Sequence, residues 1–422
     1  MKKRNAKHEK RVRKLVVMCA LFALLLTVST YAWFIGMQTV NVSSFDVNIA
    51  TTDSLYLSLD GNEWTTELAI NEDNYNDDAY EGNTNSWGNG LVPMSSVGTI
   101  DTAASRLVLY EKGSLTATPG GYRLMASQVD NSKEEHAGYV AFDLFIKNLS
   151  GDAYYTDLTV DNEEAIYLTP ESTVAVGTSG VENTGIENSV RVAFAQIGRV
   201  KATSEASVIT AITCTSDDNV TGICADRTAT IWEPNDTKHV NNAINWYTES
   251  CKKRIAKDLT LTTSYDGVCG TIQDGTAYAT YAVSGEIVET DKVDVYDGEI
   301  YNTYKDSIAE EPTTGKLMAV DTFTDTEKDK EGTERPEFMT LAPNSVTKVR
   351  VYIYIEGQDI DNYDFASLGK QISVSFGFTK ERFYGEDVNY DGDPELPEGL
   401  QSRDETTDDS QSDAGDDDQS TT

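Results

Sequence analysis

The chain has 422 residues, with 70 Asp or Glu against 34 Lys or Arg and 3 His, which gives a formal net charge of −36 and a sequence pI near 4.3. Such acidity repels phosphate backbones, and no basic stripe appears beyond the N-terminus, so nucleic acid is excluded as a partner. Three histidines leave little room for His-rich metal chemistry, and 39% hydrophobic residues suit a folded body with long polar loops.

In chain order, residues 1–14, MKKRNAKHEKRVRK, hold eight Lys or Arg and one Glu, and no charged residue follows from Leu15 to Phe45. A basic head, the apolar run LVVMCALFALLLTVSTYAWFIGM and an acidic body make the pattern of an export signal. The run is also long enough to span a bilayer as a helix. Residues 1–36 therefore read as a basic head plus a signal or transmembrane helix. Positive residues stay inside, so the body is expected on the extracellular face of the cytoplasmic membrane, or secreted to the cell surface or matrix. Thr30 and Ala32 supply small residues at −3 and −1 for a peptidase cutting between Ala32 and Trp33. Cleavage there and retention as an anchor both fit the pattern.

Next come strands. Residues 38–200 read as the first part of a β-sandwich. Val140, Phe142, Leu144 and Ile146 fall on one face of YVAFDLFIKN, as do Val190, Val192 and Phe194 in SVRVAFAQI. Near the end, Val349, Val351, Ile353 and Ile355 alternate with Arg350, Tyr352, Tyr354 and Glu356, and Ile372, Val374, Phe376 and Phe378 repeat the pattern. Period-two patterning predicts half-buried antiparallel strands with one wet face. Asp60-Gly61 in LYLSLDGNEW predicts a tight hairpin turn. The expectation is an all-β fold, two packed antiparallel sheets, with the last strands at 337–384.

Between these parts, 201–336 reads as a Cys-containing insertion or subdomain. It holds Cys214, Cys224, Cys251 and Cys269, and the best helix candidate, 239–255. An even number of cysteines in an exported chain suggests disulfides, and sequential pairing gives the shortest loops. The spacings contain no CxxC knuckle, which speaks against zinc; free thiols are the other alternative. Residues 385–422 carry 14 Asp or Glu and one Arg and read as a disordered acidic tail. Within it, DVNYDGDPELPE matches a calcium loop, with Asp387, Asn389, Asp391, the Asp393 carbonyl and Glu398 as ligands around Gly392. Pro394 and Pro397 and the lack of flanking helices weigh against it, so calcium is the one cofactor the sequence raises, and a solvated tail is the alternative.

The signal ending in TYAWF, followed by VNVSSFDVNI, resembles the exported TasA/camelysin-type surface proteins of Gram-positive bacteria, which depend on a dedicated signal peptidase. The likeness covers about residues 15–50. It implies a jelly-roll-like sandwich on the cell surface or in the biofilm matrix, whose freed N-terminal strand can complete a neighbour's sheet. Val40, Val42, Phe45, Val47 and Ile49 would be the donor strand, and the partners would be the protein itself or other matrix proteins. Pairing within the chain's own sheet is the alternative.

Enzyme signatures are missing from the sequence: neither His136 nor His239 belongs to HExxH, and no GxSxG elbow or Walker loop occurs. His239, after IWEPNDTK, reads as part of a solvated turn. LPEGL at 396–400 lacks the Thr of a sortase signal. Trp64, Trp87, Trp232 and Trp246 are candidates for stacking on surface glycans, with Trp87 in WGNG the most loop-like. The expectation is a non-enzymatic structural or adhesion protein, with a tethered or secreted glycan-binding module, with or without the aid of calcium, as the alternative.

Overall fold

The computed structural model describes residues 44–51, 54–70, 90–112, 116–118, 121–123, 126–133, 135, 138–150, 153–246, 248–249, 272–277, 280–288, 316–330, 334–363, 366, 368–369 and 371–380. Outside them lie the apolar run, Ala32, Trp33, Val40, Val42, Trp87, Cys251, Cys269, and Asp387, Asn389, Asp391, Asp393 and Glu398. Among the described residues no helix is long and apolar enough to cross a membrane.

Strands dominate, and helices are few and short. The strands that position the sites are β1 (Ser44–Thr51), β2 (Leu55–Ser58), β3 (Glu67–Ile70), β4 (Val140–Asn148), β5 (Thr173–Val176), β6 (Val190–Lys201), β7 (Ser345–Glu356) and β8 (Gln371–Lys380). A six-stranded sheet runs Met339–Leu341, Glu164–Leu168, β8, β1, β3, with β5 also paired to β8. In a ten-stranded sheet β2, β4, β7 and β6 lie side by side, all antiparallel. Thr230–Glu233 and Phe323–Thr324 extend it beyond β6, so the stretch 201–336 contributes strands to this sheet.

Both sheets are mixed, against the expectation of a purely antiparallel sandwich. β1 runs parallel to β8, Thr230–Glu233 runs parallel to Phe323–Thr324, and the end of β7 runs parallel to Pro93–Ser95.

The alternating residues meet in one core between the sheets. Phe142 and Leu144 from β4, Val192 and Phe194 from β6, Val351 and Ile353 from β7, and Val374 and Phe376 from β8 all belong to it, each no more than 2% exposed. Phe194 sits edge-on to Phe376 and Phe378, with ring centroids 5.1 and 5.9 Å apart. Full burial of such a side chain contributes about 1.5–3 kcal/mol.

The wet face expected on these strands is instead covered. Tyr352 and Tyr354 are 1% and 0% exposed, and they share a second core with Ala141, Phe145, Ala193 and Ala195, with Met94 and Ile231 from other strands of the same sheet, and with Leu107, Val129 and Ile209 from outside it. The charged residues of this face are paired, as burial demands, whereas the Tyr354 hydroxyl is buried without a hydrogen-bond partner. Asp143 and Arg350 are register partners. Arg350 Nε and Nη2 donate to the two Asp143 oxygens at 2.7 and 2.9 Å, and Lys348 Nζ lies 2.9 Å from Oδ2. Tyr352 Oη accepts the Leu107 N–H at 3.1 Å, tying the covering layer to the sheet.

The tight turn at Asp60-Gly61 is also corrected. Thr65 is the residue bridged to Leu57, so the loop is longer than two residues. Ser58 Oγ accepts the Gly61 N–H, and Asp60 Oδ1 accepts those of Asn62 and Glu63. Only Gly61 takes a positive φ there, +71°. Two side chains thus form the turn that the dipeptide alone was expected to make.

Candidate functional site

β1 lies between β8 and β3, with Val47 opposite Val374 on one side and Ile70 on the other. Val47 and Ile49 are 0% and 1% exposed in the main core. Phe45 stands opposite Ile372 in the backbone register. The strand begins at Ser44, where the apolar alternation of the sequence restarts. Only residues 52–54 separate β1 from β2, which belongs to the other sheet. Ser54 in that corner takes φ +64°, a left-handed conformation that favours glycine.

Beside β5 lies a polar cleft of about 670 Å³. The outer strand β5 forms one wall, and the segments 182–188, 235–242 and Asp274 supply the rest. Five lining residues are asparagines, and Glu182, Glu187, Asp274 and Lys238 add charge. Glu187 Oε2 is buried without a hydrogen-bond partner. Burial, with Asp361 and Glu182 nearby, raises its carboxyl above the usual range.

An acidic cluster surrounds one guanidinium, that of Arg191, which also donates to the carbonyl of the cleft residue Asn188 at 3.0 Å. Arg191, 1% exposed, donates to Glu233 Oε1 and Asp359 Oδ2, both at 2.5 Å. Thr280 and Thr322 hydroxyls donate to Glu233 at 2.6 and 2.7 Å. Glu356, at the end of β7, is pushed up to about 8 by burial, which Arg191 only partly offsets. Asp359 is raised as well, by burial first, then by Asp361 and Glu233 against the pull of Arg191. Among the described residues no group of three or more His, Cys, Asp or Glu is placed to hold a metal ion.

His239 is the main correction. It is buried, with its side chain only 5% exposed, and is no part of a solvated turn. Nδ1 lies 2.9 Å from Asp361 Oδ2 and Nε2 lies 3.1 Å from the Thr276 carbonyl. The Thr276 carbonyl accepts, and so does Asp361 when ionised, so only the protonated ring makes both bonds at once. In that form the ring has no lone pair with which to serve as a base. Its partner Asp361 lies 122 residues away, which no local pattern in the sequence could reveal.

Cys214 and Cys224 form a disulfide, as sequential pairing predicts. Residues 241–246 and 248–249 of the helix candidate are helical. Trp232 is wholly buried in the main core, and Lys147 Nζ sits 3.7 Å above the centre of the Trp64 ring. Trp246 is 36% exposed.

Comparison with known proteins finds no matching family model, no matching curated protein and no matching solved structure.

Proposed function

We propose that the chain is an exported, non-enzymatic surface or matrix structural protein, built on a jelly-roll-like sandwich, that assembles by exchange of its N-terminal strand. The observation that carries this reading is the placement of β1: a strand held by backbone pairing on both edges, with Val47 and Ile49 as its buried anchors. The same pairs form whether the strand belongs to its own chain or to a neighbour. A short corner containing a strained Ser54 gives the strand reason to leave. The uncharged run that precedes β1 supplies the export signal, and the acidic body suits the outer face. In this reading the TasA/camelysin likeness of residues 15–50 describes the same device.

Mass spectrometry of protein recovered from producing cells tests the first step. Release is expected to leave a chain starting at Trp33; an intact N-terminus would mean an anchored sandwich and would make strand exchange untenable.

A glycan-binding module is the second reading, and the asparagine-rich cleft favours it, since carboxamides both donate to and accept from sugar hydroxyls. Calorimetric titration with neutral oligosaccharides should then show saturable binding that Asn242→Ala weakens at least tenfold. Binding that ignores Asn242 and responds to Trp87→Ala would move the site to the WGNG loop.

A further inference from the structure

His239 fastens three segments that are distant in sequence. Its ring bonds the Asp361 carboxylate and the Thr276 carbonyl. Its own N–H donates to Asp274 Oδ1 at 3.1 Å, and the N–H of Val240 donates to Asp361 Oδ1 at 2.9 Å. The Gly275 N–H completes the arrangement with a 2.6 Å bond to the Thr237 carbonyl. Asp274 and His239 both line the cleft. We infer that His239 is a pH-dependent latch: protonated, it clamps the 272–276 loop to the start of the 241–246 helix and sets one wall of the cleft; neutral, it lets that loop go.

The chemistry sets which bond breaks. A neutral imidazole keeps one N–H, and here it faces two acceptors. The proton beside the Asp361 carboxylate is held by a full charge, whereas the one on Nε2 faces only a neutral carbonyl. Deprotonation therefore sets the Nε2 lone pair against the Thr276 oxygen, and the loop loses its tie while the Asp361 bond persists.

The surroundings favour the closed form. Burial alone would lower the ring's pKa, but the bond to Asp361, the charge of Asp361, the Thr276 bond and the charge of Asp359 outweigh it, so His239 titrates above its ordinary 6.5. Asp359 is itself bound by Arg191, Glu187 and Tyr363 face Asp361, and Lys238 is turned to Asn235 Oδ1 at 2.8 Å. A folded pKa raised above the unfolded value means that the stability the latch contributes is fully present below the unfolded pKa and is lost as pH rises through the folded pKa. The latch operates whether or not the cleft takes a ligand.

Nitrogen-15 labelling of histidine in the full-length chain, which has three, gives the protonation state of the ring directly. The expected result at pH 6 is an imidazolium whose titration midpoint lies above 6.5. Hydrogen exchange at Gly275, corrected for its intrinsic rate, should quicken about tenfold across that midpoint. His239→Gln should show the faster exchange already at pH 6, and Asp361→Asn should lower the midpoint. A neutral ring at pH 6, or Gly275 protection unchanged across the midpoint, would overturn the latch. If His239→Gln does not fold, the wild-type titration and exchange still decide it.

Discussion

Glu356 shows how a single buried carboxyl ties this fold to pH. Its pKa of about 8 lies above the ordinary 4.5, so between those values the folded chain holds a proton that the unfolded chain has released. Stability from this group is therefore greatest at acidic pH and declines as pH rises toward 8. Glu356→Gln is expected to flatten that decline: urea midpoints of variant and wild type should coincide near pH 5 and diverge in the variant's favour at pH 8.5. Asp143 behaves in the opposite sense. Burial raises it, but Arg350 and Lys348 more than offset that and hold it at about 2. Its contribution is present above 3.8 and is lost as pH falls toward 2. Asp143→Asn leaves two buried cations short of a partner, and a loss of about 3–5 kcal/mol is expected in denaturant unfolding at pH 7. Little of this was legible in the sequence. Arg350, Tyr352 and Tyr354 look like the wet side of a strand because the segments that cover them, around Met94, Leu107 and Ile209, lie far away in the chain. The inward side was legible: every alternating residue named from β4, β6, β7 and β8 lies in the main core.

Among the elements, β1 and the covering layer depend on different forces. β1 relies on backbone pairing along its length with β8, plus the burial of Val47 and Ile49. Val47→Asp would set a charge in the core, and the expected result is loss of a cooperative unfolding transition or of several kcal/mol of stability. The covering layer has a disulfide as well. Cys214 and Cys224 close a short loop packed on the second core, where Gly198 and Gly222 let backbones approach closely; a Cβ on Gly222 would lie 1.9 Å from the Cys214 carbonyl oxygen. Replacing both cysteines with alanine should cost about 2–4 kcal/mol in reversible unfolding. An unchanged midpoint would mean the pair is reduced in the working protein. The Cys214–Cys224 pairing was readable from spacing, whereas the parallel register of β1 was not, because its partner β8 lies more than 300 residues downstream.

For the whole molecule, charge and assembly pull in opposite directions. A net charge of −36 keeps copies apart at low salt, whereas strand exchange needs close approach. Assembly is accordingly expected to quicken as salt shortens the screening length, and light scattering against salt concentration reads this directly. The measurement that bears most directly on strand exchange uses the register itself. Asn48 and Ser375 are partners across β1 and β8. With Cys251 and Cys269 replaced by serine, the double variant Asn48→Cys, Ser375→Cys can be oxidised before and after assembly and run without reductant. Dilute chains should give an intramolecular link, and assembled material a ladder of covalent multimers. Assembled material that yields only intramolecular links would contradict strand exchange.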